Sequence, residues 1–136
     1  INVFAGNDKA TVVTDTGVIS DDILRRLDDT TLLVLEANYD PHMLRFGPYQ
    51  PFLKQRVASD EGHLSNEMAA QALLMMKRPN FMQVILAHRS ENNNNAVLVT
   101  QTIGKMLVDG GVRIGPEMKL QHGQPNEIVS IQSVKR

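Results

Sequence analysis

The chain has 136 residues and a formal net charge of −1. This length allows one compact domain with a hydrophobic core. The balanced charge excludes a global basic field for nucleic acid, although a local basic patch would suffice to bind it. The absence of cysteine excludes disulfides and thiolate metal sites. No apolar run approaches the length of a membrane span and no signal peptide is visible, so we expect no membrane association and a cytoplasmic protein.

The first part of the chain predicts a β-hairpin, a short helix and a buried strand. Segments 2–4 and 9–14 read as strands joined by a tight turn at Gly6, because glycine tolerates the positive φ that such turns need. Ser20 is a suitable N-cap for a helix whose first turn is acidic. Residues 31–35 form a continuous β-rich run, which is typical of a strand buried on both faces.

The rest of the chain continues this alternation of helices and strands. The predicted elements are short helices at 41–45 and 51–58, a helix from Ser65 to Met76, a strand at 82–87, a helix that Gly110-Gly111 ends, and strands at 118–121 and 128–134. This order predicts an α/β layer arrangement with no internal repeat and no second domain. Because the helices are few, we expect further chain to be needed to cover both faces of the strands.

Polar side chains follow three of the predicted strands, at the point where each strand ends. Asp15 follows the second strand, Glu36 the third and His88 the strand at 82–87. In α/β sheets functional groups gather at the carboxyl ends of the strands. Carboxylate and imidazole are also ligands that hard or borderline metal ions accept. The sequence therefore predicts a metal-binding rim.

Asp15 and His88 each have a structural alternative. Gly17 allows a sharp turn that would let the Asp15 carboxylate project from the strand end, but an Asp-Thr-Gly segment also serves simply to cap a turn or a helix. His88 can present one ring nitrogen to a metal while an acceptor fixes the other. It can equally be a structural histidine bonded to a loop carbonyl.

Glu36 and His63 are a candidate pair. Glu36 ends a buried strand, where an isolated charge would be costly. His63 follows Gly62, which allows close approach, and precedes a predicted helix. A carboxylate that holds an imidazole sets its tautomer and raises its basicity, so the pair could donate a proton to a leaving oxygen. The alternative is an ordinary buried polar pair that secures the loop. We expect His42 and His122, in turn-like segments, to be solvated.

The irregular segment at 39–56 combines aromatic residues with Arg45, Lys54 and Arg56. Such a cluster can grip phosphate or stack a base, but aromatic residues also pin long loops to a core. Arg89, directly after His88, is the better-placed candidate for a phosphate contact.

Four motifs in series resemble one known family. They are Thr14-Asp15-Thr16-Gly17, Leu35-Glu36-Ala37-Asn38, Gly62-His63-Leu64-Ser65-Asn66 and Leu86-Ala87-His88-Arg89-Ser90-Glu91-Asn92. Together they resemble the C-terminal half of a metallo-β-lactamase-fold hydrolase of the YycJ/WalJ-like group, whose relatives include tRNase Z and RNase J. The resemblance covers most of the chain and implies a four-layer αββα fold with metals at one rim.

The resemblance also implies roles for individual residues. Asp15 matches the family's metal-bridging aspartate and His88 its last histidine ligand. Glu36 and His63 match the glutamate–histidine dyad that assists leaving-group departure in the tRNase Z branch. This implies phosphodiester hydrolysis with two divalent cations, zinc or manganese, on DNA, RNA or a small phosphodiester.

The family's His-x-His-x-Asp-His run, which supplies most metal ligands, does not occur in the sequence. We therefore expect residues 1–136 to be the C-terminal half of a single domain whose N-terminal half lies upstream of Ile1. On its own this half should bind metal weakly, show no turnover and associate with itself through an exposed sheet face. Two alternatives stay open: a small-molecule ester or cyclic phosphodiester hydrolase on the same fold, and a non-catalytic fragment or scaffold.

Overall fold

A computed structural model describes residues 1–123. In chain order, its elements are β1 (Asn2–Ala5), β2 (Asp8–Val13), α1 (Asp21–Leu27), β3 (Leu32–Glu36), α2 (Pro41–Phe46), α3 (Pro51–Ala58), α4 (Asn66–Met75), β4 (Met82–Ala87), α5 (Ala96–Asp109) and β5 (Met118–His122). The predicted elements are confirmed to within a residue or two at their ends. The strand predicted at 128–134 lies outside the described residues.

The five strands form one sheet in the order β1-β2-β3-β4-β5. β1 and β2 form an antiparallel hairpin, whereas β2 through β5 run parallel to one another. Parallel neighbours need crossover connections, and helices provide them between successive parallel strands. The α/β class is therefore confirmed. Because all parallel strands point the same way, the segments after β2, β3 and β4 all leave the sheet at one edge.

Side-chain caps explain where the helices begin. The Ser20 hydroxyl accepts a hydrogen bond from the backbone N–H of Ile23 at 3.2 Å, at the start of α1. The Ser65 hydroxyl accepts one from Met68 at 3.1 Å, at the start of α4. Both serines were predicted from their position before an apolar helical pattern. Each satisfies a backbone donor that the first helical turn leaves free.

One face of the sheet forms the hydrophobic core. Leu33, Leu35 and Val84 are fully buried there, in contact with a cluster that includes Leu73 of α4 and Ile103 of α5. Fully burying an aliphatic side chain of this kind contributes about 1.5–3 kcal/mol. The packing of α4 and α5 on this face fixes the loops that precede them, and these loops carry the candidate site.

The other face of the sheet remains partly exposed. Val12, Val34 and Ile85 lie side by side in the strand register, and none of them belongs to the core cluster. Val12 is 41% exposed, and Val3 on the neighbouring strand is 60% exposed. Residues 1–123 thus hold one sheet with its core on a single face, and the four-layer αββα arrangement stays a prediction.

A helix that could span a membrane does not occur among residues 1–123, because each helix there is too short or too polar.

Candidate metal centre

Four side chains with metal-binding chemistry converge at the carboxyl edge of the sheet. Asp15 follows β2, Glu36 ends β3, His63 lies between α3 and α4, and His88 follows β4. One potential ligand atom from each residue lies within 4.8 Å of those of the other three. We call these four residues the rim cluster. The predicted convergence of Asp15 with His88, and of Glu36 with His63, is what the structure shows.

Glu36 is the hub of the rim cluster. Its side chain is fully buried, and its Oε1 contacts Nδ1 of His63 at 2.7 Å and also Nδ1 of His88. Its Oε2 accepts backbone N–H groups from Asp15 at 3.2 Å and from Leu64 at 3.3 Å. Four donors therefore compensate the buried charge, which would otherwise be unfavourable. The sequence predicted the contact with His63 and missed the one with His88.

The geometry around Glu36 decides which histidine nitrogens are available. An ionised carboxylate can only accept hydrogen bonds, so the Nδ1 atoms that face Glu36 carry the hydrogen. In a neutral ring this leaves each Nε2 with a lone pair for a cation or for a proton. Asp15 completes the group, with Oδ1 3.6 Å from Nδ1 of His88 and 3.8 Å from Nδ1 of His63. Its side chain is largely exposed and open to an incoming ion.

Two members of the rim cluster have an unusual backbone conformation. Asp15 and His88 lie in the left-handed region, with φ of 58° and 57°. The sequence assigned the sharp turn to Gly17; the chain bends at both positions, but the left-handed residue is Asp15. Gly17 is also needed for close approach: a Cβ there would lie 1.7 Å from the Ser59 carbonyl oxygen.

Gly62 has the role that the sequence predicted. A Cβ on Gly62 would lie 2.2 Å from the carbonyl oxygen of Arg56 and 2.3 Å from that of Val57. The next residue, His63, donates its backbone N–H to the Val57 carbonyl at 2.9 Å. The glycine thus lets the loop close over the end of α3 and direct His63 toward Glu36.

The sequence did not predict the hydrogen bonds of three buried asparagines next to the rim cluster. Asn66 and Asn94 exchange two side-chain hydrogen bonds, at 3.0 and 2.8 Å, and so join the start of α4 to the loop after β4. Asn38 donates its side-chain amide to the carbonyl of His88 at 2.7 Å. The available signal was the polar run before α5 together with the Glu36-Ala37-Asn38 segment, since buried amides require partners.

The predicted phosphate-binding residues form no hydrogen bonds with the rim cluster among residues 1–123. Lys54 Nζ donates to the carbonyl of Arg45 at 2.8 Å, and the Arg45 guanidinium lies 5.4 Å from the Phe46 ring. Arg56 is exposed at the end of α3. Among residues 1–123, no hydrogen bond or ion pair joins these cations or Arg89 to the rim cluster. Arg89 is next to His88 in the chain and remains the nearest cation to it in sequence.

His122 differs from its prediction as a solvated turn residue. It ends β5, is partly buried, and its Nε2 lies 2.9 Å from the Thr100 hydroxyl of α5. Burial, and secondarily the positive charge of Arg89, lowers the pKa of His122 below its usual value.

Burial raises the pKa of Tyr39, with a contribution from the nearby Glu67 carboxylate. His42 is exposed in α2, as predicted, and stacks against Phe46.

The rim cluster suits a divalent cation, although it is an incomplete ligand set. Asp15 supplies a carboxylate, and His63 and His88 each supply an imidazole nitrogen, all of which zinc and manganese accept. Glu36 acts best as the shared acceptor that orients both rings. With water as a fourth ligand, these three donors would complete a single zinc site, so the ligand set is incomplete only for a dinuclear site.

No protein-family model matches the chain. It is similar to the "Exodeoxyribonuclease YycJ" of Bacillus anthracis, with 33% identity over 128 residues that cover 94% of this chain and 48% of that protein. It is also similar to the "Exodeoxyribonuclease WalJ" of Streptococcus pneumoniae, with 35% identity over 124 residues that cover 90% of this chain and 46% of that protein. The chain therefore spans about half the length of the curated relatives it matches.

Proposed function

We propose that the protein is a metal-dependent phosphodiesterase that cleaves nucleic acid, with DNA as its first candidate substrate. The observation that carries the proposal is the convergence of Asp15, Glu36, His63 and His88 at one rim. The names of the two relatives, both exodeoxyribonucleases, support a nuclease rather than another hydrolase. We further propose that Asp15 and His88 hold the metal and that Glu36 positions His63.

The chemistry follows from the donors in the rim cluster. Divalent cations bound there would supply Lewis-acid polarisation of a phosphate and activation of a water molecule. Glu36 Oε1 orients His63 through Nδ1 at 2.7 Å, so that in the protonated ring Nε2 would carry the proton that passes to the departing oxygen and would return to a lone pair. Arg89, beside His88, is the residue we propose to contact a phosphate of the substrate, with Arg45, Lys54 and Arg56 as more distant candidates for the polymer backbone.

We also propose that this chain forms half of the active domain. Two structural features support this: the partly exposed sheet face around Val12 and Val34, and a donor set too small for two cations. A further segment of the same protein would cover the sheet face and add the missing metal ligands. On this proposal, the longer protein would form the complete αββα sandwich, bind the second cation and select between zinc and manganese.

The test is metal-dependent cleavage by the natural full-length protein. Asp15→Ala and His88→Ala should each abolish cleavage of end-labelled DNA in the presence of Zn²⁺ or Mn²⁺, because each removes a proposed ligand. Asp109→Ala and His42→Ala are matched controls that should keep wild-type activity. Asp109 ends α5, about 20 Å along the helix from the loop that carries His88, and His42 is exposed in α2.

The same experiment separates the alternatives. Full activity in both Asp15→Ala and His88→Ala would refute the metal assignment. Cleavage of a small phosphodiester, but not of DNA or RNA, with a rate that does not change with salt, would favour a small-molecule hydrolase, because phosphate contacts to a polymer release counterions. Metal analysis of residues 1–136 beside the full-length protein should give stoichiometric metal only in the latter; equal metal content would contradict the half-domain proposal.

A further inference from the structure

The conformation of His88 requires an explanation, because a histidine seldom adopts a left-handed backbone. Its φ of 57° directs the chain sharply out of β4. For a residue with a Cβ this region is unfavourable, and it persists only where the surrounding structure holds it. The surroundings of His88 must therefore contain contacts that fix its backbone, and the backbone carbonyl of His88 is bonded by one residue of the loop after the neighbouring strand.

That residue is Asn38, which bonds to His88 and to Ser90, two positions after it. Its side-chain Nδ2 donates to the His88 carbonyl at 2.7 Å, and its own carbonyl accepts the backbone N–H of Ser90 at 2.8 Å. Its backbone N–H donates to the carbonyl of Leu64 at 2.9 Å, directly after His63. Asn38 is 8% exposed, so these bonds form away from solvent, where an unmade hydrogen bond is costly.

Asn38 stands two residues after Glu36, and both residues link the loop that carries His63 to the loop that carries His88. Glu36 does so through the imidazoles and Asn38 through backbone groups. We propose that Asn38 is a positioning residue: its side-chain amide holds the His88 carbonyl and thereby keeps His88 in the left-handed conformation that directs its imidazole to the metal. The inference rests on the proposed function, in which His88 is a metal ligand. Of the three bonds that Asn38 makes, only the amide bond depends on its side chain.

The structure also offers a matched control. Asn66 is a fully buried asparagine in the same region, and its amide bonds to Asn94 rather than to His88. Removing the Asn66 amide should destabilise the junction of α4 with the loop after β4 without releasing the His88 carbonyl. A purely structural role for buried amides predicts that Asn38→Ala and Asn66→Ala behave alike, whereas a positioning role predicts that they differ.

The experiment uses the natural full-length protein and Co²⁺ as the probe, because cobalt absorption in the visible range reports coordination geometry. Asn38→Ala should lower the Co²⁺ affinity about 10-fold or more and alter the visible spectrum. Asn66→Ala should lower the melting temperature while its Co²⁺ affinity and spectrum stay those of the wild type. Asn38→Ser, which retains a hydroxyl donor, should lie between Asn38→Ala and wild type and remains informative where Asn38→Ala does not fold.

The inference is overturned if Asn38→Ala keeps the wild-type affinity and spectrum, if Asn38→Ser is as impaired as Asn38→Ala, or if both alanine variants lose affinity in proportion to their loss of melting temperature. A His88→Ala protein with unchanged Co²⁺ affinity would overturn the proposed function as well. If His88→Ala lowers the Co²⁺ affinity while Asn38→Ala leaves the affinity and spectrum unchanged, this inference alone is overturned.

Discussion

The two edges of the parallel sheet both contain charged side chains, but they use them differently. At the amino edge, Lys9 Nζ donates to the carbonyls of Arg26 at 2.5 Å and Asp28 at 2.8 Å, and Lys77 pairs with Asp29 at 3.3 Å. Both lysines therefore have partners within this edge, one through carbonyls and one through a carboxylate.

The carboxyl edge concentrates charge of one sign. Asp15 and Glu36 lie together with two imidazoles, and among residues 1–123 no lysine or arginine forms an ion pair with either carboxylate. Four donors compensate the burial of Glu36, and the largely exposed Asp15 carboxylate stays open to a cation from outside. We propose that the amino edge serves stability and that the carboxyl edge serves metal binding.

The largest expected effect at the carboxyl edge is that of Glu36→Gln. The glutamine side chain carries no charge, and its amide N–H group would face N–H groups that now donate to Glu36. Both histidines should therefore lose their orientation. We expect the metal affinity of the full-length protein to fall by about 100-fold, at the upper end of the effects seen for residues that orient ligands. Titration with Zn²⁺ or Co²⁺ measures this.

Glu117→Gln is the control for this variant. Glu117 precedes β5 at the amino edge and accepts hydrogen bonds from Arg113, so its replacement should leave metal affinity unchanged. Equal loss in the two variants would show that the two edges do not differ in the proposed way.

A smaller effect is expected at the amino side, where Thr11 and Thr30 share a buried hydroxyl–hydroxyl bond of 2.9 Å. Thr11→Val leaves the Thr30 hydroxyl without its partner and should lower the free energy of unfolding by roughly 1–3 kcal/mol, without changing metal affinity. The double variant Thr11→Val/Thr30→Val should recover much of this loss, since no buried hydroxyl is then left alone. Urea denaturation tests this, and a double variant less stable than Thr11→Val would contradict it.

The smallest expected effect concerns pH. Burial lowers the pKa of His122 in the folded protein, so the unfolded chain binds a proton more readily. The contribution of His122 to stability is therefore present above its usual pKa, near 6.5, and is lost as the pH falls through that range and below. His122→Gln should show a smaller loss of melting temperature between pH 8 and pH 5 than wild type.

The pH prediction has a direct comparison. His42→Gln changes an exposed histidine of α2 and should follow the wild-type pH dependence. If the melting temperature of His122→Gln also has the wild-type pH dependence, the lowered pKa of His122 does not contribute to the pH dependence of stability.

Much of the fold and part of the candidate site could be predicted because both depend on local patterns. Apolar runs gave the strands, Ser20 and Ser65 marked helix starts, and the common direction of parallel strands placed Asp15, Glu36 and His88 at one edge. None of these inferences needs the path of a loop. The sequence also predicted the Glu36–His63 pair, since a buried carboxylate at a strand end requires a donor.

The remaining features depend on how separate loops meet. The second partner of Glu36, the Asn66–Asn94 pair and the amide of Asn38 each join residues 28 or more positions apart. A pattern within one segment does not determine such contacts. The close approach at Gly17 was missed for the same reason: the constraint on it comes from Ser59 in a distant loop rather than from its own turn.

The single oxygen that His63 and His88 share has a consequence for how the protein would respond to change. Because Glu36 Oε1 contacts both rings, a shift of one imidazole alters the anchor of the other. In the proposed function, ion capture by His88 and proton delivery by His63 would be energetically interdependent, so substitutions at the two histidines should not combine additively. One buried atom would thus make two separate loops act as a cooperative unit.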